Sequence, residues 1–209
     1  MKIKGFEITT IIFDLGGVIL DIDITRAFNQ FKELGIGSES YNFGLNQGNP
    51  IFKDFEIGVI SIDDFRNEIR KISKIEFSNE QFDQIWNSII VNYPKENIEI
   101  LESIKSKYRT FLMSNTNEIH YKYFNQLLNK QFKCENMDWL FEKTYYSHTS
   151  HMKKPDIQFY ELIIKENNLM PQDTLFIDDS AENISAASTL GLQTIHINGN
   201  CKLKNYFKF

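Results

Sequence analysis

The sequence predicts an α/β fold: a parallel sheet flanked by helices, with a helical segment inserted after the first strand. Short apolar segments rich in β-branched residues are typical of buried strands. From residue 110 onward they alternate with helical patterns, which favours βα units. Between residues 19 and 93 no strand pattern is convincing, and we expect only helices there. The predicted strands are Thr9–Phe13, Thr110–Met113, Lys143–Tyr146, Leu175–Ile177 and Gln193–Ile197.

The first strand ends on a carboxylate and on a turn with two glycines. Asp14 follows the apolar residues directly, and Leu15 separates it from Gly16 and Gly17. Ligands of open parallel sheets bind outside the carboxyl ends of the strands, and a glycine lets the backbone approach a ligand closely. We therefore expect this turn to lie in a binding site.

The inserted segment predicts three helices that begin at capping residues. Asp23 is suited to cap the first helix, which should end near Gly35. A weaker helical pattern covers residues 51–57. The other two helices begin with capping-box patterns, Ser61 with Asp64 and Ser78 with Gln81.

Three more helical patterns follow the inserted segment and complete the βα units. Each places apolar residues on one face, as a helix packed on a sheet requires. The predicted helices are Pro94–Tyr108, Pro155–Glu166 with the proline at its first position, and Ser180–Leu190, which has a serine N-cap and ends at Gly191.

Polar and charged side chains follow the strands, so they should meet at one edge of the sheet. Carboxylates and backbone carbonyls are the oxygen ligands that Mg²⁺ prefers, while a lysine neutralises phosphoryl oxygens and a hydroxyl donates to them. This set therefore predicts a site for a phosphate ester and a divalent cation. Besides Asp14, its members are Ser114-Asn115-Thr116-Asn117, Lys153-Lys154 and Asp178-Asp179-Ser180.

These segments resemble, in order, the four motifs of the haloacid dehalogenase (HAD) superfamily. "IIFDLGGV" resembles the first motif, with Asp14 in the nucleophile position, and "FLMSNT" resembles the second through Ser114. "KKP" is similar to the third motif through Lys154, and "LFIDDSAENISAA" to the fourth through Asp178 and Asp179. The resemblance implies a Rossmann-like core domain over residues 1–18 and 95–209, and a helical C1 cap domain over residues 19–94.

The resemblance also implies an activity and the residues that carry it. The implied enzyme is a Mg²⁺-dependent phosphatase acting on a small phosphorylated metabolite through an aspartyl-phosphate intermediate. Its metal ligands would be Asp14, the Gly16 carbonyl and Asp179. Its catalytic residues would be Asp14, Ser114 and Lys154, and its substrate-binding residues Ser114, Asn115 and Lys154.

Position 16 departs from the usual phosphatase pattern. Family phosphatases usually carry Asp-x-Asp in the first motif, and the second aspartate serves as the general acid and base; this chain has Asp14-Leu15-Gly16. A positioned acid or base contributes about 10²–10⁴-fold in rate, and its loss should fall hardest on poor leaving groups. The same glycine occurs in the glucose-1-phosphate phosphatase-like branch, which implies an anomeric sugar phosphate as substrate. The group that activates the hydrolytic water is not identified by the sequence; the candidates are Asp178, Asp23 and a histidine.

Three alternatives share the fold. A metal-independent 2-haloacid dehalogenase needs no second aspartate, but the adjacent acids Asp178 and Asp179 would repel each other without a cation. A phosphosugar mutase needs the acid that Gly16 lacks. A catalytically weak relative that binds a phosphorylated ligand or a partner protein is compatible with Gly16, whereas Asp14, Lys154 and the acidic pair favour catalysis.

The composition and net charge argue against some classes of binding partner. A net charge of −5 and a pI near 5.4 do not favour nucleic acid or an anionic membrane, and no signal peptide or transmembrane helix is predicted, so we expect a cytoplasmic protein. Cys134 and Cys201 lack metal or redox spacing and are expected to be free thiols. We interpret Asp21 as a turn residue and Asp23 as a helix N-cap. Other polar residues are expected to be structural or solvent-exposed: Arg26, Tyr41, Arg66, His148 and His151.

Overall fold

The predicted parallel sheet is present and has five strands. The structure is a computed structural model that describes residues 2–3, 6–36, 50–198 and 202–207. Its strands are β1 (Lys2–Ile3), β2 (Phe6–Glu7), β3 (Thr10–Phe13), β4 (Asp21–Ile22), β5 (Ile90–Asn92), β6 (Arg109–Ser114), β7 (Lys143–Tyr146), β8 (Thr174–Asp178) and β9 (Gln193–His196). The central sheet has the order β7-β6-β3-β8-β9, and every neighbouring pair in it is parallel. The prediction of an α/β fold with a parallel sheet is confirmed.

Helices cover the sheet, and four of those described lie in the inserted segment. They are α1 (Ile24–Glu33), α2 (Pro50–Glu56), α3 (Ile62–Ser73), α4 (Asn79–Asn87), α5 (Lys95–Ile104), α6 (Glu118–Phe132), α7 (Ser147–Ser150), α8 (Ile157–Glu166) and α9 (Ala181–Thr189). Short 3₁₀ turns lie at Asp138–Leu140, Pro171–Asp173 and Leu203–Asn205. The first four helices correspond to the four patterns of the inserted segment.

The predicted capping residues form the hydrogen bonds expected of them. Each N-cap side chain accepts a backbone N–H two or three residues into its helix, and Gly191 has the left-handed φ of +81° expected at a helix C-terminus. The four N-caps are Asp23, Ser61, Ser78 and Ser180.

Two expectations about local structure were wrong. Strands β4 and β5 form an antiparallel pair at the two ends of the inserted segment, where we expected none. They have only two and three residues, too few for an alternating pattern to stand out. Asp21 accordingly lies in a strand, where we expected a turn.

Helix bounds also differ from the prediction in two places, one start and one end. Helix α8 begins at Ile157 after Asp156, so Pro155 precedes the helix and is joined to Lys154 by a cis peptide bond. Helix α5 ends at Ile104, and Tyr108 packs on the core from outside the helix. Helix α6, which we did not delimit from the sequence, has Asn117 as its N-cap.

Among the described residues, the buried hydrophobic side chains form three clusters. Alternate residues of β3 point to opposite faces of the sheet, so Ile11 and Phe13 pack in one cluster and Ile12 in the other. The third cluster lies among α1–α4 and is rich in phenylalanine, with the rings of Phe55 and Phe65 stacked 4.0 Å apart. Ile119 of α6 belongs to this third cluster and joins the inserted helices to the rest of the molecule.

The predictions about membrane helices, cysteines and domain boundaries can be compared with the structure only in part. Within the described residues, every helix is too short or too polar to cross a lipid bilayer. Cys134 is a free thiol, while Cys201 lies outside the described residues. The domain boundaries at residues 19 and 94 stay a prediction.

Candidate active site

The register of the sheet brings the acidic residues of two strands side by side. Phe13 of β3 lies opposite Ile177 of β8, and the ladder continues because the N–H of Asp14 donates to the Ile177 carbonyl at 2.9 Å. Asp14 and Asp178 are therefore the next residues on adjacent strands. On the other side of β3, the same register places the end of β6, with Ser114, at this edge.

Lys154 lies between these two carboxylates. Its Nζ donates to Asp14 Oδ1 at 2.6 Å and to Asp178 Oδ2 at 2.7 Å, and the residue is only 2% exposed. Burial alone would lower the pKa of the Lys154 ammonium, but Asp14 and Asp178 outweigh this effect and raise it above its usual value. The ammonium is thus a fixed positive charge at the centre of the site.

Both carboxylate oxygens of Asp178 accept hydrogen bonds. Its Oδ1 accepts the backbone N–H of Ser180 at 2.8 Å and a side-chain N–H of Asn183 at 3.0 Å, while Oδ2 accepts from Lys154. The side chain is fully buried. Asp178 therefore fixes Lys154 and the start of α9, a role that its position in the sequence did not reveal.

The three carboxylates form a cluster that suits a divalent cation. Ligand oxygens of Asp14, Asp178 and Asp179 lie within 4.8 Å of one another. Burial raises the pKa of Asp14 to about 7, against the opposing effect of Lys154, and partial burial together with Asp178 raises the pKa of Asp179. Crowded carboxylates of this kind are stabilised as anions by a bound cation. Mg²⁺ fits this oxygen cluster, and Asp178 is already engaged by three donors, so Asp14 and Asp179 are the members suited to hold it.

The two glycines of the turn have different roles. Gly17 has φ +75°, and a Cβ at this position would lie 2.3 Å from Asp179 Oδ2, so only glycine allows this approach. Gly16 has no left-handed φ, and its Cβ would meet the side chain of Ile22 at 3.4 Å, an ordinary contact. The space beside Gly16, where an acid would begin, is thus bordered by an apolar side chain from β4.

Ser114 and Asn115 lie at the same edge with different contacts. Ser114 is buried, and its hydroxyl makes only a long contact of 3.5 Å to the Asn115 carbonyl. The side-chain amide of Asn115 makes two hydrogen bonds of 2.8 Å to the backbone of Lys154. The substrate-binding roles of both residues stay predictions.

The candidates for activating water are engaged elsewhere or poorly suited. Asp23 is partly exposed and accepts from both the N–H and the hydroxyl of Thr25. The hydrogen bond from the hydroxyl lowers the pKa of Asp23, which suits a helix cap. His151 Nδ1 lies 2.9 Å from the Ile57 carbonyl. The ring of His148 packs beside Tyr121 and Tyr146, and burial lowers the pKa of that histidine.

Arg26 and Arg66 of the inserted helices make no contribution to this edge that the structure describes. Arg66 forms a bidentate ion pair with Asp83 between α3 and α4 and also pairs with Asp63. Arg26 is exposed on α1. Tyr41 lies outside the described residues.

A cavity of about 450 Å³ adjoins the cluster on the side of Asp179. Gly17 and Ile22 line it together with several polar side chains. The polar lining residues are Asp21, Glu96, Asn97, Asp179, Asn198 and Lys202. Asn97 also donates to the carbonyls of Val18 and Ile19 at 3.2 and 3.0 Å and so fixes the turn that carries the glycines.

Comparisons with known proteins agree with this geometry. A family model of haloacid dehalogenase-like hydrolases matches residues 8–191. The D-ribitol-5-phosphate phosphatase of Bacteroides thetaiotaomicron is 28% identical over 189 residues, which cover 90% of each chain. A predicted HAD-like family hydrolase from Porphyromonas gingivalis has a TM-score of 0.81 at 27% identity, over 90% of each chain.

A HAD family enzyme from B. thetaiotaomicron gives a still higher structural similarity. Its crystal structure has a TM-score of 0.88 at 31% identity and covers 97% of this chain and 100% of that chain. The wild-type form of that enzyme has also been solved in complex with magnesium and inorganic phosphate, with a TM-score of 0.85. With the matched family model and the cluster of three aspartates, these likenesses lead to one conclusion: this chain belongs to the haloacid dehalogenase-like hydrolase family.

Proposed function

We propose that the protein is a Mg²⁺-dependent phosphomonoesterase that hydrolyses a small phosphorylated sugar or polyol through an aspartyl-phosphate on Asp14. The observation that carries the proposal is the buried Lys154 ammonium, held 2.6 Å from Asp14 beside a cluster of carboxylates suited to Mg²⁺. The family, its named phosphatase relatives and a related enzyme that binds magnesium and phosphate support this activity.

The chain's own residues supply the nucleophile and the phosphoryl contacts of the proposed reaction. The Asp14 carboxylate bonds to phosphorus as the bond to the leaving oxygen breaks, and water then attacks the aspartyl-phosphate, releasing inorganic phosphate and restoring the carboxylate. Lys154 and the Ser114 hydroxyl hold the phosphoryl oxygens and stabilise their charge. When bound, Mg²⁺ supplies further positive charge at the phosphoryl group.

The size and polarity of the cavity support a hydroxylated substrate. A volume of about 450 Å³ is within the usual range for small-molecule sites, which begins at roughly 300 Å³. Carboxylates such as Asp21 and Glu96 and amides such as Asn198 can hydrogen-bond the hydroxyl groups of a sugar or polyol. One relative is named for a polyol phosphate.

The residue at position 16 bears on the leaving group. With Gly16 in place of an acid and Ile22 beside it, the leaving oxygen receives no proton from this position. Esters whose leaving group is already acidic should therefore react faster, and an anomeric sugar oxygen is more acidic than a primary alcohol. We expect this chain to favour the anomeric ester over a primary phosphate of the same sugar.

Phosphate release from α-glucose 1-phosphate, glucose 6-phosphate and D-ribitol 5-phosphate, with Mg²⁺ and with EDTA, tests the proposal. We expect release that requires Mg²⁺ and is faster on the 1-phosphate. Equal rates on both glucose esters would contradict the role given to Gly16 while keeping the phosphatase. Absence of release from a wide panel would favour a phosphate-binding protein, and metal-independent halide release from a 2-haloacid would favour a dehalogenase.

A further inference from the structure

The backbone of Lys154 is held by one side chain from a distant part of the sequence. Asn115 Nδ2 donates to the Lys154 carbonyl at 2.8 Å, and Asn115 Oδ1 accepts the Lys154 N–H at 2.8 Å. The two residues are 39 positions apart. Asn115 directly follows the last residue of β6, so the sheet fixes the position of this amide.

Lys154 lies in a segment without helix or strand, between α7 and α8. No ladder therefore engages its backbone, although the residue is 2% exposed. Buried backbone N–H and C=O groups need partners, and a missing partner is costly. The Asn115 amide satisfies both groups at once.

An amide suits this contact because it carries both a donor and an acceptor. A carboxylate of the same shape offers two acceptors and no donor, so it could not bind the Lys154 carbonyl. With its backbone fixed, Lys154 can reach both Asp14 and Asp178 with one ammonium.

We propose that Asn115 is a positioning residue that acts through Lys154: its amide sets where the Lys154 ammonium stands. This assignment deepens the proposed function, because it rests on Lys154 holding the phosphoryl group, but the contact itself does not depend on catalysis. It replaces direct substrate binding by the Asn115 side chain with an indirect role.

Amide hydrogen exchange without Mg²⁺ or phosphate tests the contact itself. In Asn115→Ala, exchange at the Lys154 N–H should accelerate at least about tenfold, the factor expected for a lost buried hydrogen bond. Peptides from β7 and α8 should exchange as in the wild type, which shows that the variant is folded. Unchanged exchange at Lys154 would overturn the proposal.

Binding of inorganic phosphate in the presence of Mg²⁺, measured by calorimetry, tests the consequence. Asn115→Asp keeps the shape but loses the donor, so we expect its phosphate affinity to fall at least about tenfold. Asn117→Asp adds the same charge two residues away. The side-chain oxygen of Asn117 accepts hydrogen bonds from Trp86 and His120, which an aspartate can also accept. We therefore expect a much smaller loss of phosphate affinity in this variant.

The two measurements separate the outcomes. If Asn115→Asp and Asn117→Asp lost equal phosphate affinity, the added negative charge would explain the loss, and the positioning role would be overturned. Accelerated exchange without weaker phosphate binding would also overturn it, because the contact would then not set the ammonium. If the wild type bound no phosphate at all, the proposed function would fail, while the exchange result would still decide whether Asn115 holds Lys154.

Discussion

Gly17 links the conformation of the turn to the candidate metal ligand Asp179. Gly17 and Gly35 both have left-handed φ values, +75° and +86°, so Gly→Ala at either position should cost about 1–2 kcal/mol of stability. Only Gly17 lies against a carboxylate of the cluster: a Cβ would come 2.3 Å from Asp179 Oδ2, whereas at Gly35 it would meet Ile75 at 3.6 Å.

We therefore expect Gly17→Ala to lose the stabilisation by Mg²⁺ that Gly35→Ala keeps. A ligand that binds only the folded state raises the melting temperature, so thermal unfolding with and without Mg²⁺ measures this directly. If both variants respond to Mg²⁺ as the wild type does, Asp179 does not depend on the close approach at Gly17.

Gly16 offers a direct test of the missing acid. Its backbone conformation accepts a side chain, and a Cβ there would touch only Ile22. Gly16→Asp should therefore accelerate hydrolysis of glucose 6-phosphate, up to the ~10²–10⁴-fold that acid–base catalysis supplies, and should affect the 1-phosphate less. Gly16→Ala adds the same Cβ without the acid, so equal rates in both variants would contradict the account.

At the scale of residues, the sequence predicts the convergence of acids but not their partners. Asp14 and Asp179 directly follow buried strands, and Asp178 ends one. Parallel strands end at one edge of a sheet, so the meeting of these acids could be predicted. The contact of Asn115 with Lys154 could not be predicted, because it depends on where an irregular segment lies. The contact of Ile22 with Gly16 depends likewise on a two-residue strand.

At the scale of elements, helix α6 joins the inserted helices to the loop after β6. Trp86 of α4 stacks on His120 of α6 with the ring centroids 5.4 Å apart, and its Nε1 donates to Asn117 at 3.3 Å. His120 Nδ1 lies 3.0 Å from Asn87 Oδ1. This junction is polar and aromatic, and its histidine makes it sensitive to pH.

Burial lowers the pKa of His120 to about 3, well below its usual value of 6.5. The folded protein therefore resists protonation that the unfolded chain accepts, so stability is complete above pH 6.5 and is lost as pH falls from 6.5 toward 3. The slope from one such group is at most about 1.4 kcal/mol per pH unit.

His120→Asn removes this titration while keeping a polar group opposite Asn87. From pH 7 to pH 5, the free energy of unfolding should fall about 1–2 kcal/mol less in the variant than in the wild type, by urea denaturation. Parallel pH curves for the two proteins would show that His120 does not titrate with folding.

Secondary-structure elements could be predicted where their signals are local in sequence, and could not where they depend on distant pairing. The caps of α1, α3, α4 and α9 are local hydrogen bonds between neighbours in sequence, so their residues reveal them. Strands β4 and β5 pair across the whole inserted segment, and no local signal marks them. Pro155 was assigned to a helix start by its residue type, whereas the chain there turns before Asp156.

At the scale of the molecule, the inserted helices contact the core at the residues that precede Lys154 in the chain. Ser147 donates to the Glu56 carbonyl at the end of α2, and Lys153 forms an ion pair with the Glu56 side chain. Gly58 packs so closely on the His148 carbonyl that any larger residue would clash. The fold thus couples the segment before α8 both to the sheet, through Asn115, and to the inserted helices.

Replacing Asp14 shows whether this residue is the nucleophile of a Mg²⁺-dependent phosphatase. We would measure Mg²⁺-dependent release of p-nitrophenol from p-nitrophenyl phosphate by the wild type, by Asp14→Asn and by Asp63→Asn, a control on the exposed face of α3. We expect turnover in the wild type and the control, and a loss of more than ~10³-fold in Asp14→Asn. Turnover by Asp14→Asn at a rate near that of the wild type would contradict this role of Asp14.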